Sequence, residues 1–326
     1  MCTAITYSAG HFYFGRTLDY DISYGEEVTV TPRNFPLPFR HLQTLQSHYA
    51  IIGMALVAEG YPLYFDAVNE KGLAMAGLNF VGFAHYSAPT AGKENVAQFE
   101  LIPYILSQCA SISQAKALLE RVTVTDTAFS PQIPPAQLHW ILSDREGSVT
   151  VEATKDGLQI FPNPVGVLTN NPPFPQQLLA LSDYLHVSAD APKNLFAPNL
   201  SLTPYSRGLG AMGLPGDLSS RSRFVRAAFT KLNSISGDTE EECVSQFFHI
   251  LDTVSQTRGC CRLESGKCEM TLYTSCCSCD HGIYYYTTYE NRSITAVSLY
   301  DTDPGGCELV QYPLIRKLQI HQQGCQ

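Results

Sequence analysis

Residues 2–19 read CTAITYSAGHFYFGRTLD. The runs CTAITYS and HFYFGRT are rich in β-branched and aromatic residues and flank Ala9-Gly10, which predicts two antiparallel strands joined by a two-residue turn. Such a turn pairs Ser8 with His11 and, counted outward, sets Cys2 opposite Thr17. The hairpin therefore returns Arg16-Thr17-Leu18-Asp19 beside the N-terminus. Arg16 and Asp19 lie on opposite faces of an ideal strand, so a bend near Thr17 is expected if both are to reach Cys2. A carboxylate there can hold an amine in place, and a guanidinium can favour a thiolate or meet an anionic substrate.

Working outward, segments 27–31, 50–56, 72–78, 136–143, 147–153, 270–277, 281–289 and 293–299 carry the same signature and end at Gly, Pro or Asn, so they too are predicted strands. Helices are predicted at 98–109, at 111–122 behind Ser111 and Gln114, at 219–234, and at 238–255 behind Asp238 and Glu241. In the last of these, Val244, Phe247, Phe248, Leu251 and Val254 form one apolar stripe. Strands come in runs rather than alternating singly with helices. An α+β fold of packed antiparallel sheets with helices outside is expected, not a doubly wound parallel sheet. The proline-rich stretches 131–135, 172–175 and 192–204 read as loops that can wall a site.

No repeat or linker divides the 326 residues, so one domain over 1–326 is expected. With 44% hydrophobic and 16% charged residues the chain can bury a sizeable core. Net charge is -9, which leaves no basic face for phosphates and disfavours nucleic-acid binding. No run approaches the roughly 18 apolar residues that span a bilayer, and the N-terminal stretch lacks a secretory pattern, so a cytoplasmic protein that does not enter membranes is expected.

Several motifs lead nowhere. GLGAMG at 208–213 matches a dinucleotide fingerprint but follows PYSR rather than a strand, and there is no nucleophile elbow, phosphate loop or HExxH. The cysteine-rich tail, with Cys276-Cys277-Ser278-Cys279 near His281, invites a zinc or redox-binding reading. Adjacent cysteines on a strand point to opposite faces, however, so these are expected to be small apolar residues in a sheet and no metal site is predicted. The second residue is more informative. A small residue there permits removal of Met1, after which Cys2 carries both a thiol and a free α-amine. Nucleophile and base then share one residue.

The stretch MCTAITYSAGHFYFGRTLDYDISYGEEVTVTPRNFPLPFR resembles the start of the choloylglycine hydrolases, the N-terminal nucleophile family of bile salt hydrolases and penicillin V acylases. Further blocks match in order: NEKGLAMAGLNF at 69–80, QLHWILSD at 137–144, NPVGVLTNNP at 163–172, LPGDLSSRSRFVRAAF at 214–229 and YTSCCSCDHGIYYYTTYEN at 273–291. The resemblance implies a four-layer αββα sandwich, no metal or organic cofactor, and assembly as a homotetramer. By position it implies Cys2 as nucleophile with Arg16 and Asp19 as its neighbours, Asn79 and Asn170 at the oxyanion site, and Arg223 beside the thiol. It also implies conjugated bile salts of the glycocholate and taurocholate type as substrates, because it associates Asn at position 79 with bile salt hydrolases and Tyr there with penicillin V acylases. Leu18, Tyr24, Phe65 and Ile133, on loops flanking the site, are the candidate wall of an apolar steroid pocket. A penicillin V or other N-acyl amide acylase with the same Cys2 chemistry is the alternative within the family. A metal- or redox-binding protein using the C-terminal cysteines is the alternative outside it.

Overall fold

A computed structural model describes residues 1–324. Along the chain the strands are β1 Cys2–Ala9, β2 His11–Tyr20, β3 Glu27–Thr31, β4 Ile51–Ala58, β5 Tyr61–Asn69, β6 Ala74–Asn79, β7 Glu94–Ala97, β8 Val122–Thr125, β9 Leu138–Asp144, β10 Gly147–Thr154, β11 Gly157–Pro162, β12 Val167–Leu168, β13 Cys261–Arg262, β14 Cys268–Ser278, β15 Ile283–Thr288, β16 Thr295–Ser298 and β17 Val310–Pro313. The α-helices are α1 Leu101–Gln108, α2 Ile112–Leu119, α3 Phe174–Leu179, α4 Ser220–Asn233 and α5 Glu240–Asp252.

Two large antiparallel sheets face each other. The first runs β12-β1-β2-β14-β15-β16 with β13 on β14, and the second runs β11-β10-β9-β6-β5-β4-β3-β17. One apolar cluster joins the facing sides of both sheets, through residues such as Phe14, Met54, Ala76 and Ile141, and continues to Phe224 and Phe247 of α4 and α5 on the far side of the first sheet. A second cluster packs Met75, Trp140 and Leu142 of the second sheet against Ile105 of α1 and Leu118 of α2. The layers are thus helix, sheet, sheet, helix, as the resemblance implies. No helix among the described residues is long and apolar enough to cross a membrane.

The opening hairpin forms, but one register step tighter than its two-residue turn predicts: Ala9 pairs with His11, and Cys2 pairs with Leu18 rather than Thr17. Gly10 adopts φ +69°, a left-handed geometry open to glycine, and this lets the chain reverse over one residue. Gly15 is also required. A Cβ built there would lie 2.1 Å from the Ser275 carbonyl oxygen on neighbouring β14. The expected bend at Thr17 is absent, since β2 runs continuously to Tyr20 and the irregularity falls on β14, between Thr271 and Tyr273.

The four long helices lie where predicted, with one cap displaced. Helix α5 is capped by Thr239, whose hydroxyl accepts from the Glu242 amide while Glu242 reaches back to the Thr239 amide, not by Asp238 with Glu241. The strands β5, β7, β8, β11, β12, β13 and β17 and the short helix α3 carry too little pattern of their own and owe their form to their neighbours.

Candidate active site

The register decides which side chains meet Cys2. Pairs Cys2–Leu18 and Ala4–Arg16 put Cys2, Leu18 and Arg16 on the face turned toward the second sheet, while Thr3, Thr17 and Asp19 turn toward the helices. Arg16 and Asp19 therefore straddle the strand instead of converging around a bend.

Arg16 is fully buried and donates from Nη1 to the carbonyls of Gly77 (2.5 Å) and Phe65 (3.2 Å) and from Nε to the Thr17 carbonyl (3.2 Å). Phe65 can accept because it is the extra residue of a bulge: Met54 pairs with Asp66 and Ala55 with Tyr64, which leaves Phe65 unmatched in the ladder. Nη2 of Arg16 is buried with no partner among the described residues. Burial acts to lower the pKa of this guanidinium, but Cys2, Tyr273, Asp66 and Asp19 around it outweigh that and raise it. Asp66, in the same layer, accepts from Tyr273 (2.6 Å), Ser275 (3.0 Å) and Tyr284 (2.5 Å). Its pKa is raised by burial, against the lowering influence of Arg16.

Across the strand, the Asp19 carboxylate accepts from Thr271 (2.6 Å), Thr17 (3.2 Å) and Gln256 (3.4 Å). Burial raises its pKa, and Arg223 is the foremost of the groups that oppose this. Its backbone N–H donates to the Met1 carbonyl (2.8 Å), and its carbonyl accepts from the Met1 ammonium (2.5 Å), which also meets Glu269 (3.1 Å).

Asn170 gathers the rest. Its Oδ1 accepts from the Cys2 N–H (2.8 Å) and from Nη2 of Arg223 (2.8 Å), and its Nδ2 donates to the Asn79 carbonyl (2.8 Å). Arg223, at the start of α4 and fully buried, also donates to the Cys2 carbonyl (2.5 Å), the Thr3 hydroxyl (2.7 Å) and the Leu218 carbonyl (3.0 Å). Its contact with Cys2 is thus to the backbone carbonyl and not to the thiol, and burial lowers its pKa against the pull of Asp19 and Cys2. Six residues from four separate blocks of sequence gather around the nucleophile, five of them buried and Asn79 partly exposed.

The family model for linear amide C–N hydrolases of the choloylglycine hydrolase family matches residues 2–312. The chain belongs to that family. A choloylglycine hydrolase-family enzyme is a hydrolase acting on linear amide C–N bonds. Among its relatives, a bile salt hydrolase/transferase from Lactiplantibacillus plantarum is 52% identical over 98% of this chain and 99% of its own length. Among solved structures, a mutant conjugated bile acid hydrolase from Clostridium perfringens superposes with TM-score 0.92 at 34% identity, covering 99% of this chain and 100% of its own. A penicillin V acylase from Agrobacterium tumefaciens, at TM-score 0.75 and 20% identity over 96% of this chain and 91% of its own, shares the fold.

Of the pocket residues expected for this hydrolase, Leu18 is on β2, buried opposite Cys2, and Phe65 is on β5, so these two stand on strands rather than loops; the rings of Tyr24 and Phe65 lie with centres 5.7 Å apart. Ile133 sits in a turn closed on Ser130 and packs at the margin of the second apolar cluster, so its place beside the other three rests on the resemblance alone. Val81 and Phe83 are exposed on the turn that follows Asn79, and the Val81 carbonyl accepts from the Asn171 side chain (2.8 Å). Sequence reading passed over this apolar rim, although V-x-F directly after NF was the available signal. It also passed over Ser220, whose hydroxyl accepts from the Asn170 N–H (2.8 Å), and Gln177, whose amide donates to the carbonyls of Asn170 and Pro172. Ser220 lies inside the 214–229 block, but nothing in the sequence ties it or Gln177 to Asn170.

The cysteine-rich tail divides as strand geometry requires. Cys276 faces the helices beside Cys243 of α5, and Cys277 faces the inter-sheet layer beside Asp66. Burial raises the pKa of both thiols. Among the described residues no three His, Cys, Asp or Glu side chains are grouped so as to hold a metal ion.

Proposed function

We propose that this enzyme hydrolyses the amide bond of glycine- or taurine-conjugated bile salts, with Cys2 as nucleophile once Met1 has been removed. The observation that carries the chemistry is the threefold engagement of one amide: Asn170 binds the Cys2 nitrogen, Arg223 and the Asn79 carbonyl at once. The substrate class is supported by the 52% identity to a protein named bile salt hydrolase/transferase over almost the whole of both chains.

In this mechanism the free Cys2 amine keeps one N–H on Asn170 Oδ1, which leaves its lone pair available for the thiol proton. The sulfur attacks the amide carbonyl and forms a C–S bond. The resulting oxyanion meets the Asn79 backbone N–H and the second N–H of the Asn170 side chain, donors of a kind whose single loss costs about 10²–10³ in kcat. The ammonium of Cys2 returns its proton as the C–N bond breaks, glycine or taurine leaves, and water hydrolyses the thioester to the free bile acid. Arg16, with unpaired N–H bonds in the layer that the Cys2 side chain enters, supplies positive charge to the thiolate. Arg223 holds the Cys2 carbonyl, and Asp19, whose backbone meets Met1 before its removal, orients the amine that removal frees.

Leu18, Tyr24 and Phe65, with Ile133 and the rim residues Val81 and Phe83, form the apolar wall for the steroid. The chain from Cys2 onward acts as one catalytic domain in the cytoplasm. A homotetramer is supported by the nearly full exposure of Leu185, Leu195, Phe196 and Tyr205 on one long excursion of the chain. Turnover of glycocholate, taurocholate and penicillin V by one preparation tests the assignment, with Cys2→Ser as the inactive control. Bile salts are expected to be the better substrates, and Asn79→Tyr to weaken bile salt turnover more than penicillin V turnover. Preferred hydrolysis of penicillin V would overturn the assignment.

A further inference from the structure

Two buried titratable side chains stand behind this cluster without a part in the chemistry above. His139 on β9 and Glu152 on β10 are both fully buried, one step beyond the Trp140–Val151 pair of the ladder. Nδ1 of His139 is 3.0 Å from Glu152 Oε1, and its Nε2 is 2.9 Å from the Thr169 carbonyl oxygen. The same Glu152 oxygen accepts from the Phe174 N–H (2.9 Å). The pair therefore grips the chain at 169 and at 174, on both sides of Asn170, and it does so from the second sheet while residues 167–168 belong to the first. The imidazole also lies flat on the Phe80 ring, with centres 4.3 Å apart and planes at 7°, and Phe80 follows Asn79.

The protons add a constraint. A carbonyl oxygen only accepts, so Nε2 must donate to Thr169, and the contact with Glu152 needs a second proton on either Nδ1 or the carboxyl. Both contacts are complete only when the pair holds two protons, which makes at least one of them charge-assisted or a strong O–H···N bond. An apolar spacer would not grip the 169–174 segment in this way.

We propose that His139 and Glu152 are positioning residues that set the two oxyanion groups, Asn170 through Thr169 and Phe174, and Asn79 through Phe80. This rests on the roles given above to Asn79 and Asn170. The ring touches the neighbour of each donor, so its loss lets both drift, and a displacement near 1 Å at such a site costs about 10²-fold.

The test is a double-mutant cycle on glycocholate hydrolysis, with a spectroscopic readout beside it. His139→Leu is expected to lower kcat about 10²-fold while KM stays within about twofold. His139→Gln, whose amide can still donate to the Thr169 carbonyl, is expected to recover most of that loss. In an Asn170→Ala background the His139→Leu change is expected to cost clearly less than in wild type, keeping only the share that runs through Phe80 to Asn79. If His139→Leu does not fold, Glu152→Gln, which keeps the volume, carries the same cycle. Equal losses with and without Asn170, or a raised KM with unchanged kcat, would overturn the proposal. Side-chain amide resonances of Asn170 in ¹⁵N spectra separate this from the roles it rests on. If they stay in place in His139→Leu, the positioning is wrong whatever the activity does. If Asn170→Ala alone hydrolyses normally, it is the oxyanion role that fails.

Discussion

Arg223→Met removes a guanidinium with four hydrogen bonds, two of which tie α4 to the nucleophile strand at Cys2 and Thr3. Methionine fills most of the same volume but donates nothing. Asn170 Oδ1 keeps the Cys2 N–H, and the Thr3 hydroxyl can turn to another partner, whereas the carbonyls of Cys2 and Leu218 lose their guanidinium donors. An acceptor stranded in the interior costs about 1–3 kcal/mol, and charged partners sit at the upper end. Against this, burying the guanidinium is itself unfavourable, as its lowered pKa indicates, and the variant escapes that cost. Asp19 in turn loses the main group that holds its pKa down. The net expectation is about 3–5 kcal/mol, the range for removing one side of a buried charged arrangement. Against a total stability of about 5–15 kcal/mol the variant still folds in water.

Urea unfolding reads this as a lower midpoint at unchanged slope. The pH dependence gives a second readout. A carboxyl whose folded pKa is raised favours folding below its unfolded value, and that advantage is lost as pH rises through the folded value. Without Arg223 the Asp19 pKa rises further, so the deficit of Arg223→Met relative to wild type should widen as pH climbs from the raised wild-type folded value of Asp19 towards the variant's still higher one. Turnover of glycocholate by the folded variant should fall about 10²-fold, because Cys2 and Asn170 lose their common anchor. A destabilisation under about 1 kcal/mol, well short of that range, together with near-normal turnover would refute the anchoring role.

Three further outcomes follow from particular contacts. Gly15→Ala should cost about 3 kcal/mol or more in urea unfolding, at the top of the overpacking range, because the added carbon meets the Ser275 carbonyl. Cys276→Ala should lower stability by about 1 kcal/mol and leave turnover per folded molecule unchanged; stoichiometric zinc in the wild-type protein, lost in this variant, would contradict its packing role. Asp66→Asn replaces a carboxyl whose folded pKa burial raises, so wild type should lose stability relative to the variant as pH rises from the ordinary 3.8 through the folded value, and parallel urea midpoints across that window would count against it.

What sequence by itself determined about this protein is what depends on near neighbours along the chain. Alternation in CTAITYS and HFYFGRT specified a hairpin, the stripe from Val244 to Val254 specified the buried face of α5, and runs of strands specified packed antiparallel sheets, because periods of 2 and 3.6 are properties of a few consecutive residues. The family blocks marked Cys2, Arg16, Asp19, Asn79, Asn170 and Arg223 without saying how any of them touch. Tertiary structure alone decided that. The one-residue reversal at Gly10 chose the faces of Arg16 and Asp19, the bulge at Phe65 freed a carbonyl for Arg16, and Asn170 joined partners 168 and 53 residues away. His139 stands inside the QLHWILSD block and Glu152 outside every block, yet in isolation a buried histidine on a strand reads as packing; only the approach of the two sheets brings the Thr169 carbonyl onto that ring. Local pattern is set by the bonds of the chain, whereas these contacts exist only after distant segments have paid their closure entropy and packed, so no stretch of the sequence contains them.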